Sequence, residues 1–217
     1  MNVIAECKRR SPSRGWLSPN LDAGRVAAAY ERAGAAAVSI LTEPRGFGGS
    51  LDDLAAARAA TRLPLLRKDF ILTEYQLIEA RAAGADAVLL LAAALAPADL
   101  ASLASRAREL GLAALVEVHD EAQLSVALDL DPPVDLVGIN TRNLRTFETN
   151  PSLAERLAPL VPPGIVAVAE SGIESPGRVS QLSALGYRAF LVGGALVSSG
   201  DPGGTLAGWL AEARACG

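Results

Sequence analysis

The sequence predicts a single-domain α/β protein, a (β/α)8 barrel over residues 1–217, and three observations carry that reading. Short runs rich in Val, Ile and Leu recur along the whole chain. Each is followed by an Ala/Leu/Arg/Glu stretch with helical spacing, the pattern of repeated βαβ units and a parallel sheet. Eight such pairs share 217 residues, about 27 each, close to the repeat of a compact barrel. Nearly every strand-like run also ends in a polar or charged residue. A barrel collects chemistry at the C-terminal ends of many strands, whereas the competing architecture, an open doubly wound sheet, binds ligands at a switch point.

Taken in order, strands are expected at Val3–Lys8, Ala37–Thr42, Leu65–Lys68, Ala87–Leu91, Ala113–Val118, Leu136–Asn140, Ile165–Ala169 and Ala189–Val192. The helices between them are Asp22–Gly34, Leu51–Thr61, Thr73–Gly84, Pro97–Gly111, Glu121–Leu130, Pro151–Leu160, Pro176–Gly186 and Pro202–Ala215. Gly34, Gly84, Gly111 and Gly186 follow apolar-periodic segments as C-terminal caps, and Ala-Gly-Ala at 33–35 and 83–85 repeats one helix-to-strand turn. Asn150-Pro151 and Ser175-Pro176 each place a capping side chain before a proline at the first helical position. Nothing in the chain reads as a linker or a composition shift.

Composition narrows the function classes. Half of the residues are hydrophobic, enough to bury a core. The net charge of −4 argues against broad capture of nucleic acid, which needs a basic face to displace counterions. Cys7 and Cys216 lie near opposite ends without metal-type spacing and are expected as incidental reduced thiols. The longest apolar run, Ala87 to Ala96, is about half of a bilayer span, and the first residues lack the pattern of a secretory signal. A cytoplasmic monomer or weak homo-oligomer is expected, with no metal, no cofactor, and neither membrane nor nucleic acid as partner.

Alternation along the first strand puts Glu6 and Lys8 on one face and Cys7 on the other, so that an acid and a base point together into the barrel mouth. The third strand ends in Lys68-Asp69-Phe70, the fifth in Glu117-Val118-His119, and the sixth in Asn140-Thr141-Arg142. The seventh ends in Glu170-Ser171-Gly172 and the eighth in Gly193-Gly194. Taken singly, a Lys beside an Asp is ordinarily a solvated pair, and Glu6 with Lys8 can equally be a structural ion pair lining the barrel. His119 is expected to be peripheral or structural. Arg9, Arg10 and Arg14 read as solvated loop charges, and Trp16 and Trp209 as packing residues.

Glu-x-Lys-x-x-Ser-Pro-Ser, Leu-Thr-Glu-Pro-x-x-Phe-x-Gly-Ser, Lys-Asp-Phe, Glu-Val-His, Gly-Ile-Asn-x-Arg-x-Leu and Ala-Glu-Ser-Gly-Ile occur in one order across the chain. In that order and spacing the chain resembles the indole-3-glycerol phosphate synthases. The resemblance implies ring closure, decarboxylation and dehydration of 1-(2-carboxyphenylamino)-1-deoxyribulose 5-phosphate in tryptophan biosynthesis. It further implies Lys68 as general acid, Glu117 as general base and Lys8, paired with Glu6, as second acid or electrostatic support. Asn140 and Arg142 would grip the anthranilate end and the substrate hydroxyls. Ser11, Glu170, Ser171, Gly172, Gly193 and Gly194 would lie around the phosphate.

Two departures stand out. Family members usually carry a longer segment before the first strand, and they often have Ser or a larger residue where this chain has Gly194. Two other functions compete: a phosphoribosylanthranilate isomerase-like barrel, which lacks the Glu-x-Lys-x-x-Ser-Pro-Ser opening, and a catalytically weak or non-catalytic phosphate-binding barrel.

Overall fold

A computed structural model describes residues 1–215. The chain runs β1 (Asn2–Cys7), β2 (Arg10–Ser11), β3 (Gly15–Trp16), α1 (Ala23–Ala33), β4 (Ala37–Leu41), α2 (Leu51–Ala60), β5 (Leu65–Lys68), α3 (Glu74–Ala82), β6 (Ala87–Leu91) and α4 (Pro97–Glu109). It continues with β7 (Ala113–Val118), α5 (Glu121–Leu128), β8 (Leu136–Asn140), α6 (Pro151–Leu157), β9 (Val166–Glu170), α7 (Pro176–Ala184), β10 (Ala189–Val192), α8 (Gly194–Val197) and α9 (Pro202–Ala215). Eight parallel strands close in the order β1-β10-β9-β8-β7-β6-β5-β4, the expected barrel.

Local chemistry sets the helix ends. Gly34, Gly84, Gly111 and Gly186 all take left-handed backbone, with φ of 94°, 93°, 71° and 104°, a conformation that only glycine adopts without strain. Ser175 caps α7 by accepting from the Arg178 amide, as its Ser-Pro pair predicts. Asn150 does not cap α6; its Oδ1 accepts from the Ser152 hydroxyl at 2.7 Å instead. The helix expected to reach Leu160 stops at Leu157 and ends in a 3-10 turn, Ala158–Leu160, because Pro159 has no N–H to continue the ladder. The β2–β3 hairpin and the short α8 have no counterpart among the elements expected from the sequence.

Two apolar clusters organise the interior. The larger packs outward-facing strand residues such as Val38, Ile40, Val88, Leu90 and Ile139 against Tyr30, Leu54, Leu77, Leu100 and Leu124 of the helices. Cys7 lies in this cluster as a free thiol, and burial, reinforced by Glu6 and Asp53, pushes it well above the ordinary thiol range. Cys216 lies outside the described residues. The smaller cluster fills the barrel itself. Within it, Leu66, Leu115 and Val168, with Ile4 packed alongside, come from alternate strands and form one layer. None of the described helices is long and apolar enough to cross a membrane.

Candidate active site

Two residues beyond each member of that apolar layer, on the same side of the same strand, stand Glu6, Lys68, Glu117 and Glu170. Strand periodicity therefore stacks a charged layer on the apolar one, with one contribution each from β1, β5, β7 and β9. Lys68 on β5 and Glu170 on β9 are four strands apart in the eight-stranded ring, so they meet across the barrel. Lys68 Nζ donates to Glu170 Oε2 at 2.5 Å and to Glu117 Oε2 at 3.3 Å. On β1, Lys8 Nζ reaches Glu6 Oε1 at 2.5 Å.

Burial decides the charges. It works against the Lys68 ammonium, but Glu170 first and then Glu117 outweigh it and hold this lysine above the usual range. Glu117 and Glu170 share the one cation and cannot both ionise easily. Glu117 has more polar neighbours of the two, since its Oε1 accepts from Asn140 Nδ2 at 2.9 Å and lies 3.2 Å from His119 Nε2. Burial raises its pKa, but Lys68, His119 and Asn140 together hold it below the ordinary carboxylate range. Glu170 Oε1 is buried with no hydrogen-bond partner among the described residues. Desolvation and the Glu117 charge outweigh the pull of Lys68, and the Glu170 pKa rises to about 8.

The site therefore differs from the sequence expectation in several places. Glu170 belongs to the floor beside Lys68, not to the loop expected around phosphate, because β9 runs one residue past Ala169 and turns this side chain inward. His119, expected to be peripheral or structural, has a close acidic neighbour in Glu117. Arg9 is not a solvated charge: its two guanidinium nitrogens bind Asp53 at 2.6 and 2.7 Å and also reach the Gly48 and Leu21 carbonyls. This fork pins the base of the first loop to α2. Arg10 lies 5.7 Å from the centre of the Trp16 ring. Arg14 turns over the glycine pair, with Nη1 3.2 Å from the point where a Gly194 Cβ would stand, and its side chain has no acidic partner among the described residues.

The remaining predicted residues converge on the same opening. Asn140 Oδ1 accepts from Ser171 Oγ at 2.7 Å and from the Arg142 amide at 3.0 Å, locking the sixth and seventh strand ends together. Ser171 does this from left-handed backbone, φ 63°, which few non-glycine residues adopt. Arg142 Nη1 donates to the Phe147 carbonyl at 2.8 Å, folding its loop back toward the mouth. Ser11, Gly172, Gly193 and Gly194 line the same opening, with Arg14 beside Gly194. All of these surround one open cavity in which a few convergent polar groups sit among apolar side chains, the form of a small-molecule site. No cluster of side chains suited to a metal occurs among the described residues.

The chain matches the family model described as indole-3-glycerol phosphate synthase over residues 1–206. An indole-3-glycerol phosphate synthase of Parafrankia sp. is 54% identical over 202 residues, covering 93% of this chain and 75% of that protein. The corresponding protein of Nocardioides sp. is 56% identical over 205 residues, covering 94% and 78%. Among solved structures, a 3-hexulose-6-phosphate synthase aligns with a TM-score of 0.73 at 16% identity over 99% of both chains. A KGPDC from Streptococcus mutans aligns with a TM-score of 0.74 at 11% identity, over 99% of this chain and 97% of that one. Identity this low speaks for the barrel alone. The match to the sequence family extends through every strand and sets aside the isomerase-like alternative. The chain belongs to the indole-3-glycerol phosphate synthase family.

Proposed function

We propose that Lys68, Glu117 and Lys8, on the floor of this cavity, carry out the family's reaction, with Glu170 and Glu6 setting their charge. In ring closure the anthranilate carbon that bears the carboxylate attacks the substrate ketone. A carbon–carbon bond forms and the carbonyl electrons move to oxygen, where the Lys68 ammonium supplies a proton. The bond to the carboxylate then breaks, carbon dioxide leaves, and its electron pair restores the aromatic ring. Dehydration follows: the new hydroxyl departs with a proton, while a second proton leaves the ring to a base.

Glu117 suits that base, since it is ionised and aimed by Asn140. Lys8 suits the acid that helps the hydroxyl leave. No step needs an electron acceptor or a metal, which supports a cofactor-free reaction. Glu170 holds Lys68 in place and leaves Glu117 as the ionised member of the pair.

The two anionic ends of the substrate have separate grips. Arg142 offers its remaining N–H groups to the anthranilate carboxylate, with Asn140 at the substrate hydroxyls. The phosphate is assigned to the wall formed by Ser11, Ser171, Gly172, Gly193 and Gly194, with Arg14 as the charge that sequence reasoning left in solvent. A biosynthetic reaction on a phosphorylated metabolite supports the cytoplasm as the site of action. The acidic chain supports a small molecule, and not nucleic acid, as partner. We place the working unit at a monomer or weak homo-oligomer.

The observation that carries this reading is one ammonium held by two buried acidic side chains at the base of an open cavity. Its test is the appearance of indole absorbance or fluorescence when purified protein meets the carboxyanilino substrate. Loss of that signal in both Lys68→Ala and Glu117→Gln, with folding intact, is the expected result. An unchanged signal in either removes that residue from its role.

A further inference from the structure

Two positions on the inner wall of the barrel carry no side chain, and each is occupied by a carboxylate from the next strand. Gly138 faces inward on β8, level with Glu117 on one side and Val168 on the other. A methyl group built there would overlap Oε1 of Glu170 and come within 3.2 Å of its Cδ and 3.4 Å of Leu115 Cδ1. Glu170 thus lies across the gap at Gly138, and from there its other oxygen meets Lys68 at 2.5 Å. The same arrangement recurs at Gly193, where a methyl group would overlap Oε1 of Glu6, the oxygen bound to Lys8, and lie 3.0 Å from the Glu6 Cβ and Cδ.

Neither glycine is required by its backbone, since both lie outside the positive-φ glycines of the chain. What each position requires is space. We propose that Gly138 and Gly193 are positioning residues: each leaves a notch in the barrel wall that seats the carboxylate partner of one active-site lysine. The inference rests on the catalytic reading of Lys68 given above.

At Gly138 the overlapping atom is the free end of a flexible side chain, while Gly193 is also crowded by the stiffer Cβ of Glu6. Gly138→Ala is therefore the milder change. It displaces the Glu170 carboxylate from Lys68 more readily than it disturbs the fold.

The experiment is a double-mutant cycle of Gly138→Ala and Glu170→Gln, read as kcat, KM and the pH profile of kcat, with a thermal melt of each variant. A misplacement near 1 Å in a catalytic group can cost about 10²-fold in rate. Gly138→Ala should then lower kcat by about that factor, shift the pH profile, and leave KM within about three-fold. In the Glu170→Gln background the same substitution should cost less than about two-fold, because the group it displaces no longer serves Lys68.

Equal losses in both backgrounds would overturn the notch, as would wild-type kcat for Gly138→Ala. Wild-type kcat for Glu170→Gln with a large loss for Gly138→Ala would also overturn it, and would leave Lys68 untouched. If Gly138→Ala does not fold, Gly138→Ala/Glu170→Ala decides: recovery of folding supports the overlap, and continued failure refutes it.

Discussion

Removing the Lys68 ammonium separates what it contributes to folding from what it contributes to chemistry. In Lys68→Ala two buried carboxylates face each other, where one cation had stood 2.5 and 3.3 Å away. Breaking a buried pair by deleting one partner costs about 3–5 kcal/mol when the remaining charge cannot escape. Here it can escape by taking up a proton, so the cost depends on pH. In the intact protein Glu117 is held below its ordinary range, with burial opposing and Lys68 the largest of the groups that favour its charge. A depressed carboxylate contributes stability above its unfolded pKa and loses it as pH falls. Without Lys68 burial prevails, the folded pKa of Glu117 rises, and its contribution changes sign, being lost as pH increases. The destabilisation should therefore be a few kcal/mol near pH 8 and much smaller near pH 5.

Catalysis gives a different signature. General acid catalysis contributes about 10²–10⁴ in rate, or roughly 3–5 kcal/mol of barrier, and this part does not return at low pH. Lys68→Arg separates the two, since it restores a cation but holds its proton too tightly to donate it. Urea unfolding at pH 5 and pH 8, beside continuous detection of indole formation, measures both. A folded Lys68→Ala with near-normal turnover would refute the acid role. Equal destabilisation at both pH values would refute the electrostatic account, and full turnover in Lys68→Arg would reduce the lysine to a point charge.

Other perturbations have equally definite outcomes. Glu117→Gln keeps the size and the Asn140 contact but removes the base, and steady-state kinetics should show kcat lower by about 10²–10⁴ with KM little changed. Arg142→Lys retains charge but loses the planar fork, so KM should rise by about ten-fold or more while kcat holds; an unchanged KM would free Arg142 from the carboxylate. Arg14→Ala should raise KM, with the difference from the parent shrinking as salt is added, because a partly exposed charge is screened. Glu170 has a raised pKa, so the folded state holds a proton that the unfolded chain releases, and stability should fall as pH climbs from 4.5 toward about 8. Glu170→Gln should flatten that slope in thermal melts, and an unaltered slope would show that another group titrates.

Most of the barrel was legible because its signals are local. Strands such as Ala87–Leu91 and Ala189–Val192 are short apolar runs, and Gly34 or Gly186 closes a helix through its own backbone freedom. The pairing of Glu6 with Lys8 follows from alternation within one strand. What escaped needed partners distant in sequence or elements too short for a period. Arg9 looks like any loop arginine until Asp53, 44 residues later, is seen to receive it. The β2–β3 hairpin has two residues in each arm and α8 only four, below the length at which alternation or helical spacing can register. Glu170 could have been found: it shares parity with Val166 and Val168, which face the barrel interior, and only the strand end drawn one residue early put it in a loop.

The notch at Gly138 also bears on why an acidic chain can present a cationic site. Two acids at the rim are already engaged by their own loops. Glu43 accepts from the amides of Arg45, Gly46 and Phe47, and Asp69 from Thr42, Arg67 and the Phe70 amide. On the floor, Glu117 and Glu170 share Lys68, so crowding them keeps one of them neutral. If the methyl of Gly138→Ala pushed Glu170 away, Lys68 would lose the closer of its two acidic neighbours. That loss acts on the proton that Lys68 must give up. The size of a residue that touches no substrate thereby sets the acidity of one that does.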